Sequence, residues 1–304
     1  MTLQAPSSVI MVRPHAFRSN PETRVDNAFQ SVLPLTDAEV AALARDEFDA
    51  AVARLRNAGV TVHVFDDTSN ETPDSVFPNN WFSTHAGGHV AVYPMFAANR
   101  RRERRWDVID MLKQDYRVQD VIDYSGLEAD DLALEGTGAM VLDHAERVAY
   151  VARSKRADPV LLERFCTHFG FEPIVFDAVD AAEAPVYHTN VLMGIGTAYA
   201  LVGLGLIPNE GRRATVASRL AEPGREVIDL SDDQIANFAG NAIELTGRDG
   251  PVLVLSARAL ASLRDDQINI ISRSADLMPL DLPTIETAGG SARCMIAGVH
   301  LARR

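Results

Sequence analysis

Apolar and polar positions along the chain follow two alternating periods. Short β-rich runs, SSVIMVRP at residues 7–14 and VTVHVF at residues 60–65 among them, read as strands. Between these two, Val40, Ala44, Phe48, Ala51 and Leu55 recur at helical spacing and predict an amphipathic helix over residues 37–58. Thr36 and Glu39 stand at the separation at which a hydroxyl and a carboxylate satisfy each other's orphan amides, and Gly59 stops the helix. Later helices carry similar punctuation. Asp158 and Pro159 open an apolar run that Gly170 ends, and Ser231 with Gln234 makes a second capping pair. Further strands are predicted over residues 89–94, 139–143, 147–152, 191–195, 198–202 and 252–255. The rhythm is strand, strand, helix, strand, repeated without a Pro/Ser/Gly-rich linker, and it predicts one α/β domain over residues 1–304.

Composition narrows the function classes. With 47% apolar and 23% charged residues the 304-residue chain has ordinary globular content, and its net charge of −13 repels phosphate backbones and anionic membranes. The charge therefore argues against a nucleic-acid or membrane-surface partner. Two cysteines build no disulfide framework and fit a reducing compartment. The most apolar stretch, residues 191–207, carries four glycines and falls short of the roughly 20 apolar residues of a membrane span. MTLQAPSS has neither the charged nor the apolar region of a secretory leader, so the expected location is cytoplasmic.

A few residues carry candidate chemistry. Cys166 lies with Leu162, Phe165 and Phe169 on a predicted helix, where a buried structural thiol is the plain reading. Cys294 follows Gly289 and Gly290 and neighbours an arginine, a setting that can present a nucleophile. His188 stands at the mouth of a predicted buried strand, and Glu135 sits beside Gly136 just before another. Each alone reads as structural; together a thiol, an imidazole and a carboxylate at strand ends make a nucleophile, a proton shuttle and an orienting group. His85 and His89 have metal-ligand spacing, but two glycines between them make a turn and no third ligand is evident. Gly194 and Gly196 lack the third glycine of a dinucleotide fingerprint.

In order along the chain, PDSVFPNNW (73–81), NRRRE (99–103), LEGTGAM (134–140), SKRAD (154–158), YHTN (187–190) and GGSARCM (289–295) resemble the guanidino-group-modifying, or pentein, superfamily. That resemblance implies a five-bladed α/β propeller of ββαβ modules with a central site and no metal or organic cofactor. Carried over residue by residue, it makes Cys294 the nucleophile, His188 the general acid and base, and Glu135 the orienting carboxylate. It gives Asp74 and Asn80 the planar head group, and Arg101 and Arg156 the substrate's α-carboxylate.

The chain departs from the superfamily at Asn80 and Asn190, where guanidinium-binding relatives have aspartate. An asparagine donates and accepts, which suits a neutral ureido group, whereas a guanidinium only donates and needs carboxylates. NPETRVDNAFQ (20–30) is also similar to citrulline-utilisation hydrolases. The leading expectation is a citrulline ureidase, with Asn190 as a further head-group ligand and ornithine, ammonia and carbon dioxide as products. The alternatives are an arginine or dimethylarginine deiminase or dihydrolase, an amidinotransferase, or a non-catalytic module like translation initiation factor six. In every enzymatic case the partner is a small ureido or guanidino amino acid.

Overall fold

The first predicted strand and helix form as β1 (Ser8–Arg13) and α1 (Asp37–Asn57), and the chain returns as β2 (Thr61–Asp66). Thr36 and Glu39 close the expected capping box. Val40, Ala44, Phe48, Ala51 and Leu55 are all buried, packed with Val9 and Val62 of this sheet and with Leu245 and Val254 of another. Fully burying a side chain such as Phe48 or Leu55 stabilises the fold by roughly 1.5–3 kcal/mol. β1 and β2 run parallel, which requires a crossover, and α1 supplies it.

The computed structural model describes residues 3–180 and 182–304. The same unit recurs as β3 (Phe82–His85), β4 (His89–Val92), α2 (Trp106–Asp115) and β5 (Asp120–Asp123). A one-turn helix, α3 (Gly136–Ala139), leads into β6 (Met140–Asp143), β7 (Val148–Ala152), α4 (Pro159–Phe169) and β8 (Glu172–Phe176). A second one-turn helix, α5 (Thr189–Leu192), leads into β9 (Met193–Ile195), β10 (Tyr199–Val202), α6 (Glu210–Ala221) and β11 (Glu226–Asp229). Then come α7 (Asp232–Ala236), β12 (Ile243–Thr246), β13 (Pro251–Ser256), α8 (Ala257–Ser262), α9 (Asp265–Ile271) and β14 (Asp276–Leu280).

In each of these four units the first two strands are antiparallel and the third pairs parallel to the second across a helix. The fifth sheet is closed from the far end of the chain. β15 (Ala297–Gly298) runs antiparallel to β1, with Ile10 opposite Ala297 and Val9 opposite Gly298. The result is five three-stranded sheets of one design, the five-bladed α/β propeller.

Two details differ from the sequence expectation. The predicted strand over residues 191–195 begins as α5, so His188 caps a helical turn and is not itself at a strand end. Glu135 likewise precedes α3, because the Gly136–Gly138 stretch turns before the strand starts. Among the described residues no helix is long and apolar enough to cross a membrane.

Candidate active site

Asp74, Asn80, Glu135, His188, Asn190 and Cys294 sit in connections that enter a strand, whereas Arg101 and Arg156 follow the second strand of their units. Glu135 caps α3 and His188 caps α5, each five positions before its strand begins at Met140 or Met193. Asn80 ends a 3₁₀ turn, Pro78–Asn80, ahead of β3, and Cys294 lies just before β15. Equivalent places in successive modules thus bring together residues more than 200 positions apart.

His188 Nε2 and Glu135 Oε2 are 2.8 Å apart, and both side chains are buried. Burial pulls the His188 imidazole down to about 4, against the opposite pull of the Glu135 carboxylate. Burial also pushes the Glu135 carboxyl up, but Arg156, the His188 hydrogen bond and Arg100 outweigh it and hold the group well below the usual carboxylate range. The pair is therefore a neutral imidazole donating Nε2–H to a carboxylate, which leaves Nδ1 as the ring's acceptor. Gly138 permits this packing, since a Cβ there would come within 2.8 Å of the His188 ring and also meet the Asn80 amide.

Cys294, 2% exposed, receives two amides: Asn190 Nδ2 and Asn241 Nδ2 each lie 3.2 Å from its Sγ. Asp74 Oδ2 accepts from Asn20 Nδ2 at 2.7 Å and Thr23 Oγ1 at 3.2 Å, while its buried Oδ1 has no partner among the described residues. The orientation that satisfies the Asn80 amide directs its oxygen at Arg100, at 2.9 and 3.2 Å, and its nitrogen at Asn79. Asp74, Asn80, Arg100, Arg156, His188 and Cys294 line one pocket of about 20 Å³, room for about one water.

The segment from Phe17 to Gln30 lies across this pocket. Besides Asn20 and Thr23, it contributes Asp26, which pairs with Arg156, and Asn27, which donates to Ala288 O at 3.3 Å. The NPETRVDNAFQ motif is thus the stretch that covers the site.

One expectation needs correcting. Arg101 does not reach the pocket; it is one-third exposed and donates to Met95 O. Its neighbour Arg100 takes the inward place, because a 3₁₀ turn over Asn99–Glu103 aligns it with Glu103 on the buried side. Asn190 turns its Nδ2 to the sulfur while its Oδ1 has no partner among the described residues, and Asn80 lines the pocket with its oxygen toward Arg100. Burial lowers the Arg100 guanidinium, but Glu103, Asp74 and Glu135 outweigh it and raise it above its ordinary value. Glu103, desolvated by the same burial, is pushed up to about 7.

Asn241 was not anticipated from the sequence. A signal for it exists: Phe238-x-x-Asn241, two positions before β12, repeats the spacing of Phe77-x-x-Asn80, two positions before β3. Among the described residues no group of three His, Cys, Asp or Glu side chains is arranged to hold a metal ion.

The family model described as N,N dimethylarginine dimethylhydrolase, eukaryotic, matches residues 13–301. The chain belongs to this family. It is thereby an enzyme of the pentein superfamily. No curated protein matches it. Among solved structures, the N-terminal domain of ArgZ, caught with a covalently bound reaction intermediate, matches with a TM-score of 0.74 at 15% identity, over 95% of this chain and 96% of that one. ArgZ is described as an arginine dihydrolase of the ornithine–ammonia cycle in Cyanobacteria. Unliganded AgrE matches with a TM-score of 0.73 at 16% identity, over 95% of this chain and 38% of its own. A dimethylarginine dimethylaminohydrolase bearing an S-methyl-L-thiocitrulline adduct matches with a TM-score of 0.65 at 13% identity, over 98% and 100% of the two chains. At these identities the structural likeness carries the fold. This family member spans about two-fifths of full-length ArgZ and AgrE.

Proposed function

We propose that the protein is a cysteine hydrolase acting on the guanidinium carbon of arginine or an N-methylated arginine, with residues 1–304 working as one catalytic domain. The family match favours this alternative over the citrulline reading. The observation that carries it is the charge around the pocket. Asp26, Asp74, Glu103 and Glu135 face Arg100 and Arg156, and with Arg293 behind the cysteine the carboxylates outnumber the arginines by one when Glu103 is ionised. A cationic, donor-only head group would find in Asp74 a carboxylate of the pocket wall itself, whereas a neutral ureido group needs none. The unpartnered Asp74 Oδ1 adds an acceptor for a guanidinium N–H.

In this reading His188 Nδ1 takes the Cys294 thiol proton as Sγ bonds to the guanidinium carbon. The same proton passes to the departing nitrogen, the C–N bond breaks, and an amine leaves behind an S-linked thiouronium. Water then adds to that carbon, giving a proton to His188. The C–S bond breaks, sulfur recovers the proton, and a ureido amino acid is released while the departed amine ends as an ammonium ion. Glu135 keeps the His188 tautomer fixed and supports the imidazolium that forms. Arg156 is engaged by Asp26, so a substrate carboxylate would reach it only as the covering segment gives up that pair.

The test is to incubate the purified protein separately with arginine, N,N-dimethylarginine and citrulline and follow products by mass spectrometry. Citrulline or ornithine formed from either guanidino substrate is the expected result. Turnover of citrulline alone would overturn the reading and restore the ureidase.

A further inference from the structure

Asn241 is fully buried, and its amide has a defined orientation. The Oδ1 atom accepts the backbone N–H of Arg293 at 3.0 Å, so that end of the amide must be the oxygen. The opposite end is then necessarily the NH₂ group. It faces two acceptors: the Asn190 carbonyl oxygen at 3.1 Å and Cys294 Sγ at 3.2 Å. Asn190 also turns its Nδ2 to the sulfur, but its Oδ1 has no partner among the described residues to settle which end faces Cys294. Asn241 is thus the donor whose direction the backbone dictates, and it is anchored to the residue that precedes the cysteine.

We infer that Asn241 is a further catalytic residue, a fixed amide donor that holds the Cys294 sulfur and favours its anionic form during attack and again when it leaves. The inference rests on the reading of Cys294 as the nucleophile. A hydrogen bond to a sulfur that gains negative charge strengthens as the charge develops, because an ionised acceptor binds a donor more tightly than a neutral one. The interaction therefore favours both the formation of the thiolate and its expulsion from the tetrahedral adduct that forms when water adds to the thiouronium. The other charged and titratable groups around the sulfur are His188, Asp74, Arg100, Arg156 and Tyr187 across the pocket, with Arg293 behind it. Of these six, only Arg293 is bonded to Asn241, through its backbone N–H.

The experiment compares the parent protein with Asn241→Ala and with Asn241→Leu, which keeps the branched shape of the side chain without its donor if alanine does not fold. Cys294→Ser is the control. The rate of Cys294 alkylation by iodoacetamide is followed against pH by peptide mass spectrometry, beside steady-state kinetics on the guanidino substrate that is turned over. Losing a hydrogen bond to a charged group should lower kcat by about 10- to 100-fold at neutral pH. KM should change little and the alkylation profile should move to higher pH, whereas a purely structural asparagine would show itself as a lower melting temperature and a raised KM. An unchanged profile with undiminished kcat in a folded variant overturns the role of Asn241 while Cys294→Ser stays inactive. If Cys294→Ser itself keeps turnover, the nucleophile reading fails and this inference with it.

Discussion

Cys166 and Cys294 are chemically identical and differ only in what surrounds them. Cys166 packs among Leu162, Phe165 and Phe169, its thiol without a polar partner among the described residues, and burial pushes it up to about 12. Cys294 meets two amides, a buried histidine in the same pocket, and the backbone of the Ser291–Cys294 turn. Replacing Cys294 with serine is expected to abolish turnover and leave the circular dichroism spectrum and melting temperature close to the parent's. Replacing Cys166 with serine should leave kcat within about twofold and cost about 1–3 kcal/mol in a urea titration, because a hydroxyl then enters an apolar site. The contrast between the thiols was legible from their neighbours in sequence. Arg100 against Arg101 was not, since three consecutive arginines look alike until a 3₁₀ turn gives one of them the inward direction.

The one-turn helices α3 and α5 place Glu135 and His188. Each takes its backbone through a tight turn so that the capping side chain faces the middle of the molecule. Alternation and helical period do not register elements of four residues, which is why α3 was read as the approach to a strand and α5 in part as a strand. Gly138 of α3 tests their packing. Gly138→Ala would push a methyl group into the His188 ring and the Asn80 amide. Kinetics should show kcat falling by at least about tenfold, as displacement of a positioned group by a fraction of an ångström misaligns the reacting atoms. Helix α1 offers the opposite case, because 21 residues with a capping box, a five-residue apolar stripe and a glycine stop leave little for tertiary contacts to decide.

At the scale of the whole molecule, the propeller depends on a closure from opposite ends of the chain. β15 has two residues, too few to show a pattern, yet it completes the sheet of β1 and lies just after Cys294. Deleting residues 297–304 should lower the melting temperature by more than 10 °C or prevent folding, and should abolish activity although every candidate site residue remains. Acid sensitivity is also a property of the assembled core. His188 is pulled down to about 4 by burial, and His85 and His144 are held well below their ordinary value, by burial first and by neighbouring cationic groups second. The unfolded chain therefore binds protons that these folded histidines, and His300 with them, refuse; Glu103, pushed up to about 7, acts the other way, but four histidines outweigh one carboxyl and stability rises with pH between about 4 and 6.5. Glu135, held low in the folded state, acts in the same direction from the ordinary carboxylate range downwards. Urea midpoints measured from pH 7 to pH 4.5 should fall steadily. His85→Asn, which removes a titrating group without a large change in volume, should flatten the slope.

By itself the sequence determined the element types, the repeating strand–strand–helix–strand order and the motifs that place the chain in its superfamily. Those are local properties, written in the spacing of apolar side chains, in caps and in short chemical signatures. Which arginine enters the pocket, that Asn190 and Asn241 converge on one sulfur, and that Asp26 engages Arg156 were decided only when five modules closed on one another. Each of those contacts joins residues at least 50 positions apart or depends on the phase of a single short turn. The direction of a buried side chain is set by what packs against it, and that is fixed by the closed propeller.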